Sequence, residues 1–382
     1  MTKWFTRTVC GLFILVLLLP GFGILREKRN KELILEMETR TINPKPTAKL
    51  FTSKYFSQFE NWFNDRILGR KELVRGWAQL NGKLFHTLIS KEVEMGKDDF
   101  LFMPFNAKHE LLDADKKQAI ISKILAACKK HNAKMYFFLA PHSEWIQSEL
   151  LPDKYGKIDL KAIDQEMLAF LPKDVQYVSM LSTLADMSSE ERTKLYYRGD
   201  YHWNSMGAYL GAQTVVKAMG YNDLLDKPVK YLDLSVGSAD IYTRKIGWKP
   251  IINKVQKPWN DVYSTDFKYY CGTAGVIKEA AAKEADSYSH RGEMIIVNPK
   301  AKNKATVLVL GDSFMGAMQE YLMQDVERVV VLHNSDISSP KKSIDIDYLL
   351  TTYKPDALLY AKMGSFFYNY RYEEIFSKYV VE

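Results

Sequence analysis

Three side chains in this sequence have the types and settings that nucleophilic catalysis needs: Ser313, His202 and Asp200. Ser313 lies in ATVLVLGDSFMG, where the short apolar run Val307 to Leu310 reads as a buried parallel strand. Met315, Met318 and Leu322, spaced three and four apart, read as the helix that follows. At such a turn a serine oxygen meets free backbone N–H groups and the positive end of a helix dipole, which favour developing negative charge. The same place also suits a serine that merely caps the helix. Asp200 and His202 stand two apart in RGDYHWNSMGAYLG. In extended chain such residues share a side, so Asp200 can hold one ring nitrogen and leave the other to take a proton. Alone, the pair fits a structural histidine beside a surface aspartate equally well; with Ser313 the set holds a nucleophile, a base and an orienter. Two neighbours are candidate substrate contacts: His142, at the rim after a strand ending at Leu139, and Trp203, either a platform for a ring-shaped substrate or a packed aromatic.

These residues need elements to place them. Asn204 or Ser205 can cap a helix after the His202 loop, and Met206, Tyr209, Ala212, Val216 and Met219 follow at helical spacing. From Asp113 the chain alternates: a helix carrying Ile120, Ile121, Ile124, Leu125 and Cys128, a strand Met135 to Leu139, a helix Leu160 to Leu171, a strand Val175 to Val178. The rhythm resumes with the Val307 strand, then a strand Val329 to Leu332, a helix with Ile346, Leu349, Leu350 and Tyr353, and a strand Ala357 to Tyr360. The expectation is an α/β fold with a parallel five-stranded sheet flanked by helices. In such sheets sites gather at the carboxyl ends of the strands, where Ser313 and the His202 loop fall. Tyr221 to Lys304 breaks the rhythm with Gly237, Gly247, Pro250, Pro258 and Gly272 among aromatics, and reads as an inserted, irregular or β-rich subdomain.

The bulk numbers narrow the classes. A chain of 382 residues with 47% hydrophobic content can bury a large core. Its net charge of +7 is spread among mixed Lys and Glu segments, so nucleic acid is not indicated. Three cysteines, Cys10, Cys128 and Cys271, are too few for a disulfide framework and have no zinc-type spacing. Thr8 to Leu25 is uncharged and follows Lys3 and Arg7, the pattern of a secretory leader or an uncleaved anchor. Pro20, Gly21 and Gly23 suit cleavage, while Arg26, Lys28, Arg29 and Lys31 leave the orientation open by charge alone. Residues 26–46, with Pro44 and Pro46, read as a tether or short helix. Phe51 to Leu88 is helical in period, and its aromatics Phe56, Phe59, Trp62, Phe63 and Trp77 read as packing residues; Glu60, Asp65, Arg66 and Arg70 read as an ion-pair set. The expected organisation is a signal anchor (1–25), a tether and N-terminal helical element (26–95), a first catalytic part with the Asp/His loop (96–220), the inserted subdomain (221–304) and a second catalytic part with the nucleophile (305–382).

The motifs also carry a resemblance. GDSF at Gly311 to Phe314 resembles the first block of SGNH hydrolases, and DYHWNSMGAY at Asp200 to Tyr209 resembles their closing Asp/His block, in reversed order as in a circular permutation. With the leader, with NWFNDRILGR at Asn61 to Arg70, GKDDFLF at Gly96 to Phe102 and LAPHSEWIQSELLP at Leu139 to Pro152, the chain resembles the alginate O-acetyltransferase group (the J and X proteins) and the related DHHW proteins. Ser143, Glu144 and Gln147 stand where family members often have a lysine and a tyrosine, and GSFF at Gly364 to Phe367 stands where ordinary SGNH hydrolases carry an oxyanion-binding asparagine. The resemblance implies export, an acyl-serine on Ser313 and a polysaccharide acceptor. It also implies a multi-spanning membrane-bound O-acyltransferase as acyl-donor partner. No nucleotide-binding fingerprint lies beside the serine, so no bound cofactor is expected. A glycan esterase with the same three residues, or a non-catalytic polysaccharide-binding assembly subunit, are the alternatives.

Overall fold

Continuous apolar runs cannot leave either face in water, and here they form the middle of a sheet. The computed structural model describes residues 2–18, 34, 41–104, 110–221, 224–236, 241–249, 251–273, 276–289, 292–333, 343–371, 376 and 379–381. Its main strands are β1 (Lys134–Ala140), β2 (Gln176–Val178), β3 (Lys230–Val236), β4 (Asn253–Trp259), β5 (Lys268–Thr273), β6 (Val276–Ala280), β7 (Glu293–Val297), β8 (Asn303–Gly311), β9 (Val326–His333) and β10 (Ala357–Met363). The helices that matter here are α1 (Thr2–Leu18), α2 (Ser53–Asn64), α3 (Arg70–Phe85), α4 (Ala114–Lys130), α5 (Leu160–Phe170), α6 (Ser205–Met219), α7 (Ile241–Ile246), α8 (Met315–Asp325) and α9 (Ile346–Tyr353).

The sheet has eight strands in the order β2-β1-β10-β8-β9-β7-β5-β6. From β2 to β9 every pairing is parallel, with Val307 opposite Val329 on one side and Ala357 on the other. Phe137 to Leu139, Val307 to Leu310 and Val329 to Val331 are almost wholly buried, as strands covered on both faces must be. Counted from the serine strand β8, the parallel strands lie in the doubly wound order 2-1-3-4-5, so the strand order reverses beside β8.

The sheet is wider than the five parallel strands expected. β7, β5 and β6 continue it antiparallel beyond β9, so residues 268–297 of the segment read as an insertion share the main core through Cys271, Met294 and Ile296. β5 and β6 leave most of their residues part-exposed and carry mixed polar residues, so they leave a weaker signal than a double-covered strand, whereas β7 is a short run buried on both faces from Glu293 to Ile296. β3 and β4 pair antiparallel in a separate ribbon. α6 packs on α8, and α4 on α9. Gly237 and Pro250 lie outside the described residues.

The chain divides into two units, residues 1–104 with 240–251, and residues 105–239 with 252–382. In the first, Asp65 accepts from the backbone N–H and side-chain amide of Asn43, while Arg66 donates to the carbonyls of Asn43 and Trp62, so these two members of the expected ion-pair set pin the chain before α2. Among the described residues no helix is long and apolar enough to cross a membrane; α1 covers the start of the expected anchor. Residues 19–25, with Pro20, Gly21 and Gly23, and Arg26, Lys28, Arg29 and Lys31 of the tether lie outside the described residues.

Candidate active site

β8 ends at Gly311, and the turn before α8 is shaped by Asp312. Its carbonyl accepts from the Met315 N–H at 3.0 Å and its carboxylate from the Phe314 N–H at 3.0 Å. The second carboxylate oxygen accepts from the Met363 N–H at 2.6 Å, tying the end of β8 to the end of β10 at the point of strand-order reversal. Between buried Asp312 and buried Phe314, Ser313 alone stays exposed.

The His202 loop is held from both ends. The Asn204 side chain caps α6 through the Met206 and Gly207 N–H groups and donates to the Lys194 carbonyl, and the Tyr197 N–H bonds the His202 carbonyl. α6 presents Gly207 and Gly211 toward Trp203: a Cβ at Gly207 would come to 2.6 Å from the Leu195 carbonyl and the Trp203 Cβ, and one at Gly211 to 2.9 Å from the indole. The indole therefore lies flush on the helix, and its Nε1–H donates to the Phe314 carbonyl at 3.0 Å. That bond joins the histidine loop to the serine loop.

Across this join the three side chains meet. Ser313 Oγ stands 2.6 Å from His202 Nε2, and His202 Nδ1 stands 2.7 Å from Asp200 Oδ1, which also accepts the His202 backbone N–H at 3.0 Å. With Asp200 accepting at Nδ1, the network assigns the proton to that nitrogen and leaves Nε2 to accept from the serine hydroxyl. Asp200 is buried and His202 mostly so. The arrangement can deprotonate the serine as it attacks an electrophile and return the proton to a leaving group.

The other two candidates lie elsewhere. Trp203 is 2% exposed, so its face is spent on α6 and Phe314 and cannot serve a ligand as a platform. His142 is 1% exposed, its ring against Trp145 at 4.4 Å, so it does not line an open rim. Sequence reasoning passed over a polar layer beneath the serine. Lys362, buried in β10, donates to the Gly311 carbonyl at 2.9 Å, and His333 Nδ1 bonds the Asp312 carbonyl at 2.9 Å. Burial pushes the Asp312 carboxyl up, opposed by the Lys362 ammonium, the two backbone N–H groups and His202. A lysine inside an apolar strand is the signal that pointed there. Tyr201 was also missed: its ring lies tilted against His202 with the ring centres 4.1 Å apart, and burial first and the Asp200 charge second raise its phenol pKa. Among the described residues no cluster of His, Cys, Asp and Glu could hold a metal ion.

Residues 93–235, the part that carries the Asp/His loop, match the family model described as an SGNH hydrolase-like domain, acetyltransferase AlgX. No curated protein sequence matches the chain. Among solved structures, Bacillus cereus PatB1 with a sulfonyl adduct superposes with a TM-score of 0.56 at 18% identity, covering 74% of this chain and 97% of that one. A DHHW family protein from Eubacterium siraeum gives a TM-score of 0.52 at 16% identity, over 74% of this chain and 93% of that one. At such identities the likeness is one of fold. In its 93–235 segment and in its fold, the chain thus resembles the SGNH-hydrolase-like group of alginate O-acetyltransferases and DHHW proteins that its motifs pointed to.

Proposed function

We propose that this chain is an extracytoplasmic O-acetyltransferase that carries an acetyl group on Ser313 and passes it to a hydroxyl of an exported polysaccharide. The observation that carries the reading is the continuous Ser313–His202–Asp200 hydrogen-bond relay. Ser313 Oγ attacks the acyl carbonyl while His202 Nε2 takes its proton; the donor's leaving group departs with that proton, giving acyl-Ser313. An acceptor hydroxyl then attacks the ester, again losing its proton to His202, which returns it to Ser313 Oγ as the acylated sugar leaves. Asp200 orients the ring and stabilises its charged form in both halves. The Ser313 backbone N–H serves as one oxyanion donor.

Several features support parts of this reading. The family description over 93–235 names an acetyltransferase, and the reversed motif order with the 2-1-3-4-5 strand order supports a circularly permuted SGNH fold. A cleft of about 500 Å³ opens along the exposed side of α8 from Gly316, with Trp259, Phe267 and Tyr269 on its wall, a surface that suits a sugar chain. The apolar leader supports an N-terminal membrane anchor that keeps the domain outside the cytoplasm and near a membrane-bound O-acyltransferase supplying the acyl group. The exposure of Ser313 favours one competing reaction, since water reaching the acyl-serine makes the chain a glycan esterase.

The test is incubation of the protein with an acyl-ester donor and an oligosaccharide, followed by mass spectrometry of acylated sugar and free acid. Acylated sugar that disappears in Ser313→Ala is the expected result. Acid release without transfer replaces the transferase with the esterase, and transfer that survives Ser313→Ala overturns the acyl-serine.

A further inference from the structure

α3 turns its large apolar side chains away from its own protein. Leu73, Trp77, Leu80 and Leu84, spaced four, three and four apart, fall on one stripe of the helix. They are 69%, 60%, 46% and 63% exposed. The inward side is made instead by Ala78 and Gly82, both buried, which lie against Trp248 just after α7. The Trp248 Nε1–H donates to the Ala78 carbonyl at 3.3 Å, and a Cβ at Gly82 would run into its ring. α3 thus already has a packing partner, and the outward stripe stays exposed. α2 repeats the pattern: Trp62 is buried with the Arg66 guanidinium 4.9 Å from its ring centre, while Phe56 and Phe59 are exposed. The flanks are basic, with nine Lys and Arg against three Asp and Glu between residues 41 and 91.

We propose that α2 and α3 form a membrane-docking element that lies in the interface of an anionic bilayer, with the Leu73–Trp77–Leu80–Leu84 stripe in the acyl boundary. A stripe of Trp, Phe and Leu flanked by Lys and Arg is the composition of helices that lie in such interfaces, and the local positive excess complements anionic headgroups. The same unit contains α1, whose Trp4, Phe5, Leu12, Phe13, Ile14 and Leu15 are all exposed, so the chain brings a second apolar surface that a bilayer covers. The inference rests on the membrane-anchored reading above and adds to it: beyond tethering, the N-terminal unit is laid against the lipid.

The experiment uses the full chain with Cys10→Ser, carrying an environment-sensitive fluorophore at Trp77→Cys, Leu84→Cys or, as a control on the polar side, Lys83→Cys. Each protein is reconstituted into phosphatidylcholine vesicles with or without phosphatidylglycerol, and retention of sulfonyl-fluoride labelling at Ser313 checks the fold. Labels at 77 and 84 are expected to emit further to the blue when phosphatidylglycerol is present and to be quenched by brominated lipid, while the label at 83 is quenched by aqueous iodide. Equal iodide quenching at all three sites, or protection at 77 and 84 without quenching by brominated lipid, overturns the inference; the second outcome assigns the stripe to a protein, whether another copy or a different chain. A carbonate wash reads the anchor separately: protein released by carbonate refutes anchoring, whereas protein retained with its stripe in water refutes the docking element alone.

Discussion

At Ser313 the proposed chemistry depends on one proton having somewhere to go, and His202 Nε2 stands 2.6 Å away to receive it. Removing either partner should therefore remove the whole reaction: Ser313→Ala and His202→Ala are each expected to cost roughly 10⁴-fold or more in turnover, and the double variant little beyond either single one. Steady-state acyl release from an activated ester measures this, and additive losses would show that the two residues do not act as a unit. A sulfonyl fluoride, which captures a serine whose proton a hydrogen-bonded base removes, is expected to modify Ser313, with no modification in His202→Ala, as read by intact mass. One residue back, Asp312 works by structure. Its carboxyl pKa is raised by burial, so the folded state holds that proton more tightly than the unfolded chain. The stability this gives is complete below the ordinary carboxylate range and lost as pH rises through the raised value. At neutral pH the buried charge is offset by Lys362 and two backbone donors. Asp312→Asn has one acceptor oxygen for those two donors, so a loss of about 1–3 kcal/mol in urea unfolding at neutral pH is expected. The variant's stability should also change less with pH across that window. Unchanged stability in Asp312→Asn would remove the carboxylate from the account of the turn.

Elements decide whether those residues meet. α6 approaches the Trp203 ring through Gly207 and Gly211, and a side chain at Gly207 has no room. Gly207→Ala is expected to destabilise by about 1–3 kcal/mol and to lower turnover more than substrate affinity, because the loop carrying His202 must shift; thermal unfolding and a KM-against-kcat comparison check both. In α4, burial first and the Asp347 charge second push the Cys128 thiol up to about 12. Peptide mapping should find Cys128 unmodified by a thiol reagent at pH 8 in the native protein and modified once it is unfolded. The same packing explains what could be read from the chain. Val307 to Leu310 announced a strand because both its faces are covered, and the Asp200–His202 spacing announced a shared side. β5 and β6 gave no such signal, being largely part-exposed and built of mixed residues, and β7, though buried from Glu293 to Ile296, is only five residues long and pairs antiparallel outside the βα rhythm. Lys362 and His333 are single polar residues whose partners, Gly311 and Asp312, lie at the end of another strand and in the turn after it, and sequence spacing does not measure such contacts. In α3 the helical period was legible but its inward face was not: periodicity marks the large apolar stripe as core, whereas the small face of Ala78 and Gly82 is the one that fits against Trp248.

For the molecule as a whole, the proposed reaction is limited by delivery. An acyl donor held in a membrane meets a tethered domain at an effective concentration of roughly millimolar, set by the length of the linker, while a free domain meets it at its own bulk concentration. Replacing α1 with a cleavable leader should therefore lower polysaccharide acetylation in cells by about 10²-fold or more at matched expression. Acetylation from a soluble activated ester should be unchanged in the purified protein, because the relay of Asp200, His202 and Ser313 lies in the other unit of the chain. If α2 and α3 also rest on lipid, the leader swap alone leaves part of the activity, and adding Leu73→Ser, Trp77→Ser and Leu84→Ser to it removes the remainder. The same three substitutions with α1 in place should cost far less, since in the proposed arrangement α1 still holds the domain near its donor. The four chains, compared for acetyl content of the polymer at equal protein level, separate tethering from docking. Full acetylation in the chain lacking both would mean that donor and domain find one another in solution, and neither the anchor nor the stripe would then have a part in the transfer.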